Sequence, residues 1–139
     1  MASKNQMTGM LGAYLVAVEL TRLGFIVSPT SRSDAGADLR VTDQECQKAW
    51  SVQVKTNKKP AKFWLVGTKT AKLKSDRYVY VFVNIRKEGR PDYVVAPSAH
   101  VAAKVVRSVS RTGSIWYSFS EKDRFYANEG WELFGRRTG

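Results

Sequence analysis

Two short segments carry residue types suited to phosphodiester chemistry. In Ser51-Val52-Gln53-Val54-Lys55, the two-residue period of a strand puts Val52 and Val54 on one face and Gln53 and Lys55 on the other. In Ala37-Asp38-Leu39-Arg40-Val41, Leu39 and Val41 share a face and Asp38 takes the opposite one. If the two segments pair as a hairpin, their apolar sides join one core and Asp38, Gln53 and Lys55 converge on the other side. A carboxylate, an amide oxygen and an ammonium are the components of a hard-cation site. Asp38 and the Gln53 carbonyl oxygen would hold Mg²⁺, with Lys55 beside the attacking water or the scissile phosphate. The same spacing also suits polar residues that simply meet solvent on a half-exposed sheet face, because D…QxK alone is a weak pattern.

Hydrophobic periodicity outlines the elements that must position these groups. Residues 10–23 read as a helix with Leu11, Leu15, Val16, Val18, Leu20 and Leu23 as a broad apolar face, Thr8 as N-cap and Gly24 as the stop. Residues 25–28, closed by Pro29, suit a short strand, and the Ser/Gly-rich stretch 30–37 a loop. Residues 38–42 and 50–56 alternate on either side of a polar link, the pattern of a hairpin. Residues 63–66 suit another short strand. The run Tyr78-Val79-Tyr80-Val81-Phe82-Val83 within residues 77–85 reads as a buried central strand, with residues 92–96 pairing beside it. Pro97 and Ser98 open a second helix expected to reach about Val109, with Ala99, Ala102, Val105, Val106 and Val109 as its stripe. The expected fold class is α/β (α+β), a mixed central sheet flanked by helices, in one domain spanning 1–139.

The chain has 139 residues with 23 Lys and Arg against 12 Asp and Glu, a net charge of +11. No acid falls between Glu45 and Asp76, whereas Lys48, Lys55, Lys58, Lys59, Lys62, Lys69, Lys72 and Lys74 do. Unopposed lysines displace condensed counterions from phosphates, so DNA is the expected partner, gripped by Lys58, Lys59, Lys62, Lys69, Lys72 and Lys74. No apolar run approaches the ~20 residues of a membrane span, and no leader pattern is visible, so a cytoplasmic protein without membrane partners is expected. A lone Cys46 and a lone His100 exclude an internal disulfide and cysteine-based or multi-histidine metal sites. Neither a P-loop nor a dinucleotide fingerprint occurs, so no nucleotide cofactor is expected. Trp64, Trp116, Tyr117 and Trp131 suit base stacking, or more simply a core or subunit interface.

The order of helix, strand, Ser/Gly loop, Asp-initiated strand and Gln-Val-Lys strand over residues 9–56 resembles the PD-(D/E)xK nuclease superfamily. Within it, the likeness is to small archaeal-type Holliday-junction resolvases and related restriction-endonuclease-like proteins. The resemblance implies a restriction-endonuclease-like fold, Mg²⁺- or Mn²⁺-dependent cleavage of DNA and a homodimer. It implies that Asp38, in Gly36-Ala37-Asp38-Leu39, is the metal-binding aspartate, with Ala37 where the motif's name has proline. Gln53 occupies the (D/E) slot, keeping one oxygen ligand and dropping a charge, and Lys55 matches the lysine. The backbone carbonyl of Val54 would be an additional ligand. Ser33 sits where resolvase-like members carry a serine near the phosphate.

One departure bears on activity. Resolvase-like members place a glutamate about eleven residues before the glycine that ends the first helix, and counting back from Gly24 reaches Ala13. Glu19 lies six residues on, roughly 240° around the helix. Three expectations follow: Glu19 or Asp34 substitutes, one weakly held metal suffices, or the chain binds DNA without cutting it. The leading reading is a Mg²⁺-dependent DNA endonuclease, with branched junctions as one candidate substrate. The alternative is a catalytically weak or inactive DNA-binding protein on the same fold. A basic RNA-associated protein is a third reading, without a recognisable RNA-binding motif.

Overall fold

The computed structural model describes residues 3–30 and 38–135. The elements run α1 (Lys4–Arg22), β1 (Ile26–Pro29), β2 (Leu39–Thr42), β3 (Ala49–Asn57), β4 (Phe63–Val66), β5 (Tyr78–Asn84), β6 (Asp92–Pro97), α2 (Ser98–Lys104), β7 (Val106–Val109) and β8 (Ile115–Ser120). Two short 3₁₀ turns, Glu121–Asp123 and Trp131–Phe134, follow.

A capping box starts α1. The Gln6 N–H donates to the Ser3 hydroxyl at 3.2 Å, and the Ser3 N–H donates to Gln6 Oε1 at 2.8 Å. The helix thus begins at Lys4 rather than near Met10, and Thr8 lies inside it, donating its hydroxyl to the Lys4 carbonyl. Gly24, at φ 96°, follows the helix end in the left-handed conformation that favours glycine. The buried face of α1 is Gly12, Val16 and Leu20; Leu11 and Val18, expected inside, are exposed.

The main sheet has the order β1-β2-β3-β5-β6, with β3 parallel to β5 and every other pair antiparallel. The β2–β3 hairpin forms in the register Leu39↔Val52 and Val41↔Trp50. Alternation along β5 divides the core. Val79, Val81 and Val83 join Val52, Val54 and Val95 under Val16 and Leu20 of α1. On the other face, Tyr80, Phe82, Val94 and Ala96 meet Trp64, Phe119 and Val101.

That second layer departs from expectation. β4 belongs to a separate three-stranded sheet, β4-β8-β7, rather than to the main one. The second helix stops at Lys104, because Val105 turns extended at φ −61°, ψ 139°. The β-branched run that follows pairs as a strand, Val106 opposite Ser118 and Val109 opposite Ile115. Trp64 is core: its indole N–H donates to the Val83 carbonyl at 2.9 Å. Trp116 and Phe125 remain exposed.

Candidate active site

The site arises where β2 stops and β3 continues. β2 reaches only to Leu39, opposite Val52, so β3 from Gln53 onward has an open edge. Asp38 sits at the corner. Its N–H donates to the Val52 carbonyl at 2.9 Å, and its Oδ2 accepts from the Val54 N–H and from Gln53 Nε2, both at 3.0 Å. One carboxylate oxygen thereby ties the strand entry to the edge it faces. Since the Val52 carbonyl points to this edge, the strand period aims the Val54 carbonyl the same way.

Behind Gln53 stands Tyr78, whose hydroxyl donates to Gln53 Oε1 at 3.2 Å. Burial, then the charges of Tyr80 and Asp38, push the Tyr78 phenol well above its ordinary range, so it stays a hydrogen-bonding hydroxyl. Sequence reasoning missed this residue. Tyr80, not Tyr78, is the register partner of Gln53, and the contact depends on a parallel pairing between distant segments.

Asp38, Gln53, Val54 and Lys55 line one cleft of about 850 Å³ together with Lys4 and Ala13 of α1. α1 comes this close because Gly12 has no side chain. A Cβ built there would lie 1.7 Å from Thr56 Oγ1 on β3. Asp38 is the sole carboxylate among the described residues lining the cleft, and no described cluster of three His, Cys, Asp or Glu exists.

The donors nevertheless suit a hard cation. A 180° turn of the Gln53 amide would present Oε1 to Asp38 and Nε2 to Tyr78, whose hydroxyl accepts as readily as it donates. Two oxygens 3.0 Å apart would then face each other. That separation is the edge of an octahedron with metal–oxygen distances of about 2.0–2.1 Å, the geometry Mg²⁺ demands. The site fits such an ion with one formal negative charge.

Other expected residues fall elsewhere. Glu19 bonds to Arg90, which also holds Glu129, and does not line the cleft. Ser33 and Asp34 lie outside the described residues. Lys58 lines the cleft, whereas Lys59, Lys62, Lys69, Lys72 and Lys74 are exposed beyond it. His100 is engaged with the Asp123 carbonyl and the Phe125 ring, and Cys46 is exposed in the β2–β3 turn.

No protein-family model matches the chain, and no curated protein does. Solved structures match in fold. A Holliday junction resolvase from the archaeal hyperthermophile Archaeoglobus fulgidus, Hjc, superposes with a TM-score of 0.59 at 11% identity, covering 94% of this chain and 98% of that one. The bacterial homing endonuclease I-Ssp6803I gives a TM-score of 0.51 at 17% identity, covering 99% of this chain and 88% of that one. With its mixed sheet, its covering layers and these two nucleases as structural neighbours, the chain has a restriction-endonuclease-like fold.

Proposed function

We propose that the chain is a divalent-cation-dependent DNA endonuclease whose cutting site is the open edge of β3. The observation that carries this reading is the arrangement of Asp38, Gln53 and the Val54 edge around one carboxylate oxygen, in a cleft that also holds Lys55. Asp38, Gln53 Oε1 and the Val54 carbonyl are the donors. Mg²⁺ or Mn²⁺ bound there would polarise a phosphoryl oxygen and acidify a water. Lys55 offsets the charge that grows on the phosphate in the transition state. Asp38 and Tyr78 hold the Gln53 amide in its plane. Lys4 and Lys58 take adjacent phosphates, and the exposed lysines that follow extend the grip.

Two copies per substrate are part of this reading. Antiparallel register puts Phe63, Leu65, Val106 and Trp116 on one face of the β4-β8-β7 sheet, with Ser108, Ser118 and Ser120 beside them. That face carries no charge in a chain of net +11, so two copies can meet there without cation repulsion. Trp116→Lys should lower the molar mass measured by light scattering.

Ala13 in the cleft favours a second reading, binding without cutting, because one carboxylate gives weak metal affinity. Labelled junction, duplex and single-stranded DNA, each with Mg²⁺, Mn²⁺ or chelator, separate the two. Metal-dependent cleavage supports the nuclease, and retained binding with no cleavage under any metal supports the second reading.

A further inference from the structure

We infer that a second cavity, continuous with the cleft, receives an unpaired nucleobase, so that the preferred DNA is one in which paired and unpaired segments meet. This rests on the DNA reading above and adds the substrate's structural class.

The cavity, about 860 Å³, lies between the first turns of α1 and the segments after β3 and β5. Its size falls within the range of ~300–1,000 Å³ typical of small-ligand sites. Met7, Leu11, Pro60 and Ile85 form an apolar floor. Lys4, Lys58, Lys59 and Lys87 stand around it, and none is ion-paired among the described residues. Arg86 also lines the cavity but is held by Asp92 at 2.5 Å. No acid lines it.

Lys4, Thr8 and Lys58 line both this cavity and the cleft. A strand engaged at Asp38 and Lys55 can therefore pass over Lys58 into the second cavity without leaving a cationic surface. Met7 and Leu11 are 56% and 47% exposed on the helix side that faces away from the core. An apolar floor cannot bond a phosphate, and ammonium groups cannot bond an apolar face. A nucleotide carries both complements, a flat apolar base and anionic phosphates on either side. A base stacked inside a duplex cannot reach a concave floor, so the occupant is unpaired. With Thr8 as the one uncharged polar side chain among the described residues of the lining, the pocket accepts bases without reading sequence.

The test is binding in chelator, where no cleavage intervenes, of a fork with one single-stranded arm and of a fully paired duplex of the same sequence. The fork carries 2-aminopurine at its first unpaired position. Expected is fork binding about ten-fold tighter than duplex binding, the scale of one captured base. Emission should rise as the probe leaves its stacked neighbours for a floor without aromatic rings. The Met7→Gln/Leu11→Gln double variant, unchanged in charge and exposed on a helix, should lose most of the fork preference and the emission rise. Ile85→Thr, in the part of the floor that follows β5, should reduce both as well. Equal affinity for fork and duplex, unchanged emission, or equal loss on both DNAs in both variants would overturn the inference. So would binding to anionic phosphatidylglycerol vesicles that the double variant abolishes while fork preference persists. Fork-selective binding without cleavage in Mg²⁺ would refute the nuclease reading and leave this inference standing; no DNA binding would overturn both.

Discussion

Asp38 Oδ2 and the terminal amide of Gln53 lie 3.0 Å apart at the open edge of β3, an octahedral-edge spacing with an uncharged group at one end. Replacing that amide with a carboxylate tests what the spacing is for. In Gln53→Glu two negative charges would stand at the same separation, so the metal-free protein should lose stability, on the order of 1 kcal/mol. Mg²⁺ should restore it, because a ligand that binds only the folded state raises the melting temperature with its concentration. Thermal unfolding with and without Mg²⁺ measures both effects. A variant as stable as wild type and insensitive to Mg²⁺ would argue against a cation between these groups.

The second missing charge is at Ala13, which lines the same cleft as Asp38. Ala13→Glu should lower the Mg²⁺ concentration for half-maximal cleavage on the order of ten-fold, since cation affinity follows the number of charged ligands. Activity titrated against Mg²⁺ reads the change directly, and no shift would mean that a side chain at position 13 does not reach the ion.

Gly12 and Thr56 set the distance between α1 and β3. In an open helix Gly→Ala gains up to about 1 kcal/mol. Here the added Cβ meets Thr56 Oγ1 at 1.7 Å, so Gly12→Ala should instead destabilise by about 1–3 kcal/mol. In a Thr56→Ala background the loss should shrink without vanishing, because the Thr56 Cβ lies 2.8 Å from the same point. Urea unfolding of the four proteins makes a double-mutant cycle. A stabilising Gly12→Ala would contradict the close approach.

The Tyr78 hydroxyl gives a pH signature. Burial first, then the charges of Tyr80 and Asp38, raise its pKa, so the folded chain keeps this proton where the unfolded chain gives up its own. Its stability contribution is therefore complete below the ordinary phenol value of about 10 and is lost as pH rises through the raised value. Tyr78→Phe should show a shallower alkaline loss of stability than wild type, together with reduced cleavage at neutral pH, because Gln53 loses its second anchor. Identical alkaline profiles would contradict the shift.

Much of this arrangement was legible in the sequence because it is local. The period-two alternation around Leu39, Val41, Val52 and Val54 requires the hairpin's apolar side, and with it the convergence of Asp38 and Gln53. The capping box at Ser3 and Gln6 was readable too, but Thr8 stands closer to the apolar run and competes for the same role. The run of β-branched residues at Val105 and Val106 signals extended chain, yet the helical spacing of Ala99, Ala102 and Val105 pointed the other way; pairing with β8 decided it. Tyr78 and the Gly12–Thr56 approach had no local signal. The first follows from how β3 and β5 register, and the second from how a helix settles on a strand more than forty residues distant.

The central claim, that this edge cuts DNA, is tested most directly by Lys55→Ala on a labelled junction in Mg²⁺, with Asp38→Ala beside it. The expected result is loss of cleavage by about 10²-fold or more in Lys55→Ala, the scale of one lost electrostatic stabiliser. DNA binding should survive with a salt slope smaller by about one phosphate contact. Cleavage that persists at wild-type rate in Lys55→Ala and Asp38→Ala would contradict the claim.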